Sequence, residues 1–198
     1  YSKAYSELVS FDKEIAKVIS NSVTSLSKGE MMDVNMSKYF NSDEEKYLNM
    51  LYLKTATLIE ASAYAAAILA GKTPHSFALY GKNLGLAFQI IDDILDITSD
   101  EATLGKPAMN DFVEGKCTLP YIYLYELLDE NEKTTLVGLH GKKLSKDESG
   151  WIASKMKEHK TIEKSFQLAQ KLSDEAKEVI KNEVELVNIL ETMIKRSH

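Results

Sequence analysis

Disulfides, membrane-spanning runs and a basic face are all missing from this sequence of 198 residues, and each absence narrows the field. The single cysteine, Cys117, cannot form an internal disulfide, so nothing points to an oxidising compartment. The longest nearly apolar run, Ala61 to Ala70, is about half of the roughly 20 residues a spanning helix needs. The start, Tyr1-Ser-Lys-Ala-Tyr-Ser-Glu, has no basic head followed by an apolar block, so no signal peptide is read there. A cytoplasmic location is the expectation. A formal net charge of −6 argues against a nucleic-acid partner, whose phosphates demand a basic face. Prolines are scarce (three) and glycines few (nine), and no stretch sustains the alternation of a half-buried strand. An all-α fold follows.

What is there is ordinary globular material, 44% hydrophobic and 27% charged. Leu8, Phe11, Ile15, Ile19 and Val23 fall at helical spacing, giving one amphipathic helix, or two in succession, from Ala4 to about Met36. Ser42 with Glu45 three residues on reads as a capping box, and Gly71 as the left-handed cap that ends the same helix. Thr73 and Pro74 open a third helix running to about Ser99. Residues 100–118 read as an ordered polar loop, and Pro120 opens an apolar helix through Leu128. Beyond a polar break near 140–150 the rest reads as two or three charged amphipathic helices. With no repeat and no linker, residues 1–198 are expected to form a single all-helical domain. The sequence has no initiator methionine and opens inside a helix, so a fragment or a processed product is expected.

The chemistry concentrates in Leu84-Gly-Leu-Ala-Phe-Gln-Ile-Ile-Asp-Asp-Ile-Leu-Asp-Ile97. At about 100° per residue, Gln89, Asp92, Asp93 and Asp96 share a wedge of roughly 100° on an otherwise apolar helix, which belongs in a core. Burying an unpaired carboxylate costs several kcal/mol or more, and adjacent like charges raise the cost. Protonation or a hard cation would relieve it. Mg²⁺ suits, since it takes one or two carboxylates and completes its shell with water and phosphate oxygens. With Asp near 6% of residues, Asp-Asp-x-x-Asp arises by chance in about 4% of chains this long. An exposed acidic turn is the competing reading, and the apolar flanks disfavour it.

Lys54 lies in a stripe with Met50, Leu51, Leu58, Ala61 and Ala65, where its ammonium wants an anionic partner or snorkels to the surface. Lys106 and Lys116 each follow a glycine that permits close backbone approach. Gly81 and Gly85 inside the third helix point to close helix packing, or to room for a ligand. Together these parts describe a site for a molecule with an anionic head and a greasy body.

Phe88-Gln89-Ile-Ile-Asp92-Asp93-Ile-Leu-Asp96, followed by Gly105-Lys106-Pro107 and Gly115-Lys116-Cys-Thr118-Leu119-Pro120, resembles the second aspartate-rich motif of trans-type polyprenyl diphosphate synthases. Lys54-Thr55-Ala-Thr-Leu-Ile-Glu60-Ala resembles the helix on which that family binds the allylic diphosphate, and Gly29-Glu30 the pair on the helix before it. The resemblance implies an isoprenoid-synthase-type bundle of long antiparallel helices around a central cavity, here partial: the C-terminal two-thirds of such a synthase.

It also implies a Mg²⁺-dependent prenyltransferase that adds isopentenyl diphosphate units to an allylic diphosphate. Asp92 would ligate Mg²⁺, with Asp93 and Asp96 as further ligands or just behind them. Lys54, Thr55, Gln89 and Lys106 would hold the allylic diphosphate, with Lys116 close by, and Phe88 would line the isopentenyl side. Lys54, Asp92 and Lys106 would carry the catalysis. The Gly29-Glu30 pair and the form of the Lys54 segment favour the long-chain, octaprenyl-like bacterial branch, and a homodimer joined through the first 40 residues is implied.

Two local departures stand out: Asp33 where the family often has glutamine, and Met109-Asn110 where a glycine is usual before Asp111. The first aspartate-rich motif does not occur in these residues, so the chain by itself is expected to hold half a metal site and to be inactive. A non-catalytic subunit of a heteromeric synthase is the alternative.

Overall fold

The computed structural model describes residues 2–98 and 109–195, all in helices and short connections. The expectations for Lys106, Gly105 and Pro107 lie outside the described residues.

Two helices, not one, occupy the first 36 residues: α1 (Ser2–Leu8) and α2 (Lys13–Met36). Asp12 separates them by accepting the Glu14 amide at 2.9 Å, which satisfies one of the donors orphaned at a helix start. Phe11 therefore lies in the break and is exposed, and the buried stripe of α2 runs Ile15, Ser22, Gly29, Asp33, Met36. The next helix, α3 (Glu44–Leu51), begins one residue later than the sequence suggested. Asp43, not Ser42, is its cap, accepting from the Lys46 amide at 2.9 Å.

What looked like one long helix is then interrupted. Tyr52–Ala56 forms a turn of π-helix, closed by the Thr57 amide reaching back to the Tyr52 carbonyl, before α4 (Thr57–Leu69) resumes. Gly71, at φ 66°, ends α4 in the left-handed conformation, and the Lys72 amide returns to the Ala67 carbonyl.

The central element is α5 (Pro74–Thr98), buried on nearly every side between α4 and the later helix α10 (Thr161–Val179). Ile90, Ile91 and Ile94 anchor its core, with Tyr47 and Leu51 from α3 and Leu190 from α11 (Val184–Lys195). Close approach to α4 depends on missing side chains. A Cβ on Gly81 would lie 2.6 Å from the Ile59 carbonyl oxygen, and one on Gly85 would lie 2.5 Å from Ala56 Cα. Helix packing, the first of the two sequence readings, explains this pair of glycines.

Part of the expected polar loop is helical: α6 (Asn110–Val113) follows Met109, whose φ of 62° is the left-handed region that glycine enters freely. Then come α7 (Leu119–Leu127), α8 (Glu130–Leu139) and α9 (Lys146–His159). The sequence reading passed over α8, although its capping box of Asp129 and Glu132 was there to be read. These helices build a second core around Phe112, Tyr121, Leu136 and Met156, in which the Phe112 and Tyr121 rings stack at 4.3 Å. Phe40 and Ile162 pack against both cores and join them.

Candidate active site

A cavity of about 320 Å³ opens where α2, α3, the π-turn, α5 and the segment entering α7 converge. Its wall carries Lys54, Gln89, Asp92, Asp93 and Lys116 from the sequence expectations, joined by Asp33, Tyr47, Asp111, Cys117 and Thr118. Four carboxylates thus meet two ammonium groups. That imbalance favours bound cations.

Lys54 is presented by the π-turn, and glycines press on that turn from two sides. Gly29 of α2 is so close that a Cβ there would lie 2.4 Å from the Lys54 amide nitrogen, while Gly85 backs Ala56 from the other side. One-turn π segments recur at functional sites because they rotate a side chain off the α-helical register. The ammonium in the apolar stripe finds its counter-charge within the chain: Lys54 Nζ lies 2.5 Å from Asp33 Oδ2 and 3.7 Å from Glu30 Oε2. Asp33, the departure from the family pattern, is therefore the principal partner of Lys54 here.

Asp92 and its neighbours divide into three situations. Asp92 is exposed at the cavity. Asp93 is only 5% exposed and is held by protein donors: Tyr47 Oη donates to Oδ2, and Gln89 Nε2 donates to Oδ1 at 3.2 Å. Burial pushes its carboxyl up to about 7, the Tyr47 and Gln89 hydrogen bonds working against that and the charges of Asp111 and Asp92 adding to it. Asp96 is outside the cavity wall and 3% exposed. Its Oδ2 accepts the Asp111 amide at 3.0 Å and its carbonyl accepts the Met109 amide at 2.8 Å, so Asp96 anchors the chain where it returns to α5.

Protein donors carry part of what the sequence reading assigned to protonation or a cation: Tyr47 and Gln89 meet Asp93, and the Asp111 amide meets Asp96.

The Asp93 contacts belong to a longer chain of hydrogen bonds. Thr55 Oγ1 donates to Gln89 Oε1 at 3.2 Å, Gln89 donates on to Asp93, and Tyr47 donates to the same carboxylate from the other side. Thr55 is absent from the cavity wall and acts through Gln89. Phe88 does not face the cavity either. It lines a separate apolar groove of about 500 Å³ with Ile59, Leu84 and residues of α11.

Lys116 does reach the cavity, its Nζ 2.8 Å from Asp111 Oδ1 and 2.9 Å from Glu114 Oε2. Burial lowers its pKa, but these two carboxylates outweigh burial and the net shift is upward. Gly115, at φ 88°, lets the backbone close on the Ser37 carbonyl, and a Cβ there would come within 2.4 Å of that oxygen. Beside Lys116, burial pushes the Cys117 thiol up to about 12, which makes it a poor nucleophile. Tyr47 carried no periodic or spacing signal, and Thr118, though it stands in the quoted motif, was given no role.

The donor set fits Mg²⁺. The candidate oxygens are hard carboxylates, and among the described residues no three His, Cys, Asp or Glu side chains are arranged to enclose an ion. An ion held here by Asp92 and Asp93 would complete its shell with water and phosphate oxygens, as Mg²⁺ commonly does. Among the described residues no helix is long and apolar enough to cross a membrane.

The family model described as polyprenyl synthetase matches residues 1–151. The chain is 38% identical over 149 residues to the short chain isoprenyl diphosphate synthase of Methanothermobacter thermautotrophicus, covering 71% of this chain and 46% of that protein. It is also 38% identical over 127 residues to the octaprenyl diphosphate synthase of Escherichia coli, covering 62% and 39%. The crystal structure of octaprenyl pyrophosphate synthase from Helicobacter pylori superposes with a TM-score of 0.91 at 44% identity, covering 98% of this chain and 68% of that one. The chain thus spans about half the length of the first two curated relatives it matches. With the family model covering most of its residues, the chain belongs to the polyprenyl synthetase family.

Proposed function

We propose that these residues form the allylic-diphosphate half of a long-chain prenyltransferase that works with Mg²⁺. The reading rests on one observation: Lys54, Lys116, Asp92 and Asp93, from separate parts of the chain, face one cavity of about 320 Å³. Two ammonium groups suit a diphosphate, and the surplus carboxylates suit the cations that accompany it. On binding, Lys54 exchanges Asp33, and Lys116 exchanges Asp111 and Glu114, for phosphate oxygens. Asp92 is the exposed metal-binding carboxylate, and Asp93 is oriented behind it by Tyr47 and Gln89.

In the proposed reaction the bond between the allylic C1 and the diphosphate oxygen breaks, and the electron pair leaves with the diphosphate. The double bond of isopentenyl diphosphate attacks C1, and a proton then passes to the released diphosphate. Lys54 and Lys116 stabilise the negative charge that grows on the leaving group in a site partly withdrawn from water, where such stabilisation is most effective. Mg²⁺, when bound, neutralises phosphate charge and activates the leaving oxygen. Lys106, outside the described residues, is proposed to act with them.

The long-chain assignment is supported by the 44% identity to the H. pylori octaprenyl enzyme, while relatives at 37–38% include short-chain and geranylgeranyl synthases. A homodimer in the cytoplasm is part of the same proposal.

The test has two stages. Calorimetry with inorganic pyrophosphate and Mg²⁺ should show metal-dependent binding that Lys54→Ala weakens; absence of binding by the parent chain sinks the reading. An assay with farnesyl and isopentenyl diphosphates should give no polyprenyl product from the 198 residues alone. Product from a verified chain of that length would overturn the half-site argument.

A further inference from the structure

Lys54 is paired before any ligand arrives. Two carboxylates lie near its ammonium, and burial separates them. Glu30 Oε2 is 3.7 Å away on a side chain that is 60% exposed, where water and salt screen its charge. Asp33 Oδ2 is 2.5 Å away on a side chain that is 12% exposed, and Asp33 and Lys54 both line the cavity. The partner that matters for binding is therefore Asp33.

Asp33 also differs from the other buried carboxylates of α5. Asp93 accepts from Tyr47 and Gln89, and Asp96 from the Asp111 amide, so each has donors that no ligand need remove. Among the described residues the Asp33 carboxylate accepts from Lys54 alone. A ligand that draws Lys54 away leaves this poorly hydrated carboxylate without its counter-charge, and breaking a buried pair in that way is costly. A free anion makes matters worse, because it sets a like charge beside Asp33. An anion complexed with a divalent cation brings compensating positive charge of its own. The same contact therefore opposes the first ligand far more than the second, which is how an unpaired charge serves discrimination.

We propose that Asp33 is the residue by which this cavity selects a metal-complexed diphosphate over the metal-free anion. The inference rests on the function proposed above and adds a specificity-determining side chain to it. Lys54 attracts any phosphate; Asp33 admits only one that carries its cation.

Calorimetric titration of the 198-residue chain with inorganic pyrophosphate, once at saturating Mg²⁺ and once in EDTA, gives the ratio of the two affinities for each protein. Asp33→Asn keeps the shape and removes the charge. The ratio should fall about tenfold or more, chiefly through tighter metal-free binding. Glu30→Gln removes the exposed carboxylate near the same ammonium and should leave the ratio within about threefold of the parent's. Partial unfolding of a variant lowers the binding fraction in both titrations, so the ratio reads charge rather than stability. If the ratio for Asp33→Asn matches the parent's, or metal-free binding is undetectable in both, the inference fails while the proposed function stands. It fails too if Glu30→Gln lowers the ratio as much, since general surface charge then does the discriminating. A parent chain that binds no pyrophosphate at saturating Mg²⁺ overturns both.

Discussion

Replacing Gly29 by alanine gives the sharpest test of how the fold holds Lys54. The added Cβ would lie 2.4 Å from the Lys54 nitrogen, 2.6 Å from its Cα and 2.7 Å from the Leu53 carbonyl carbon. Ordinary contact begins near 3.4 Å, so α2 and the π-turn must part by about 1 Å, and the obstacle is backbone that cannot rotate away. Overpacking of this kind costs ~1–3 kcal/mol. With rigid backbone as the obstacle the cost lies in the upper part of that range, ~2–3 kcal/mol. Alanine returns up to ~1 kcal/mol through helix propensity, so the net loss is about 1–2 kcal/mol. In a chain of this size that lowers Tm by about 2–8 °C. The same displacement moves the Lys54 backbone out of its place in the cavity wall and should weaken pyrophosphate binding several-fold, read by calorimetry. Gly138→Ala is the control: it lies in α8, where an added Cβ would meet nothing within 4 Å, and alanine there should raise Tm slightly. A Gly29→Ala protein that melts at or above the parent would refute the reasoning.

Other outcomes follow from the same contacts. Tyr47→Phe removes the hydroxyl that donates to buried Asp93 and should cost about 1–3 kcal/mol in chemical denaturation at about pH 8, where Asp93 is ionised. Asp93 itself has a pKa raised to about 7, so the folded state holds a proton that the unfolded chain releases near pH ~4. Its contribution to stability is accordingly greatest at low pH and declines as pH rises from about 4 to 7; Asp93→Asn should remove that component from a plot of Tm against pH. Asp43→Ala removes the cap of α3 and should cost ~1 kcal/mol in urea unfolding. Lys54→Met, which keeps the apolar stem, should fold normally and lose Mg²⁺-dependent pyrophosphate binding by at least about tenfold.

The sequence by itself determined the elements and the chemical inventory. Helical periodicity, Pro74 and Gly71 marked α4 and α5, because capping and proline act through the nearest few residues. Asp92, Asp93 and Lys54 were legible for a similar reason, being charges in an apolar helical background, and Lys116 through the glycine before it. Tertiary structure decided which charges face which partner. Asp93 and Asp96 are three residues apart on one helix, yet one meets Tyr47 across 46 positions and the other meets the Asp111 amide 15 positions on. The π-turn is set by its contacts with Gly29 and Gly85. Spacing along a helix fixes direction only; whether a carboxylate meets a donor, a cavity or solvent depends on what distant segments bring to it.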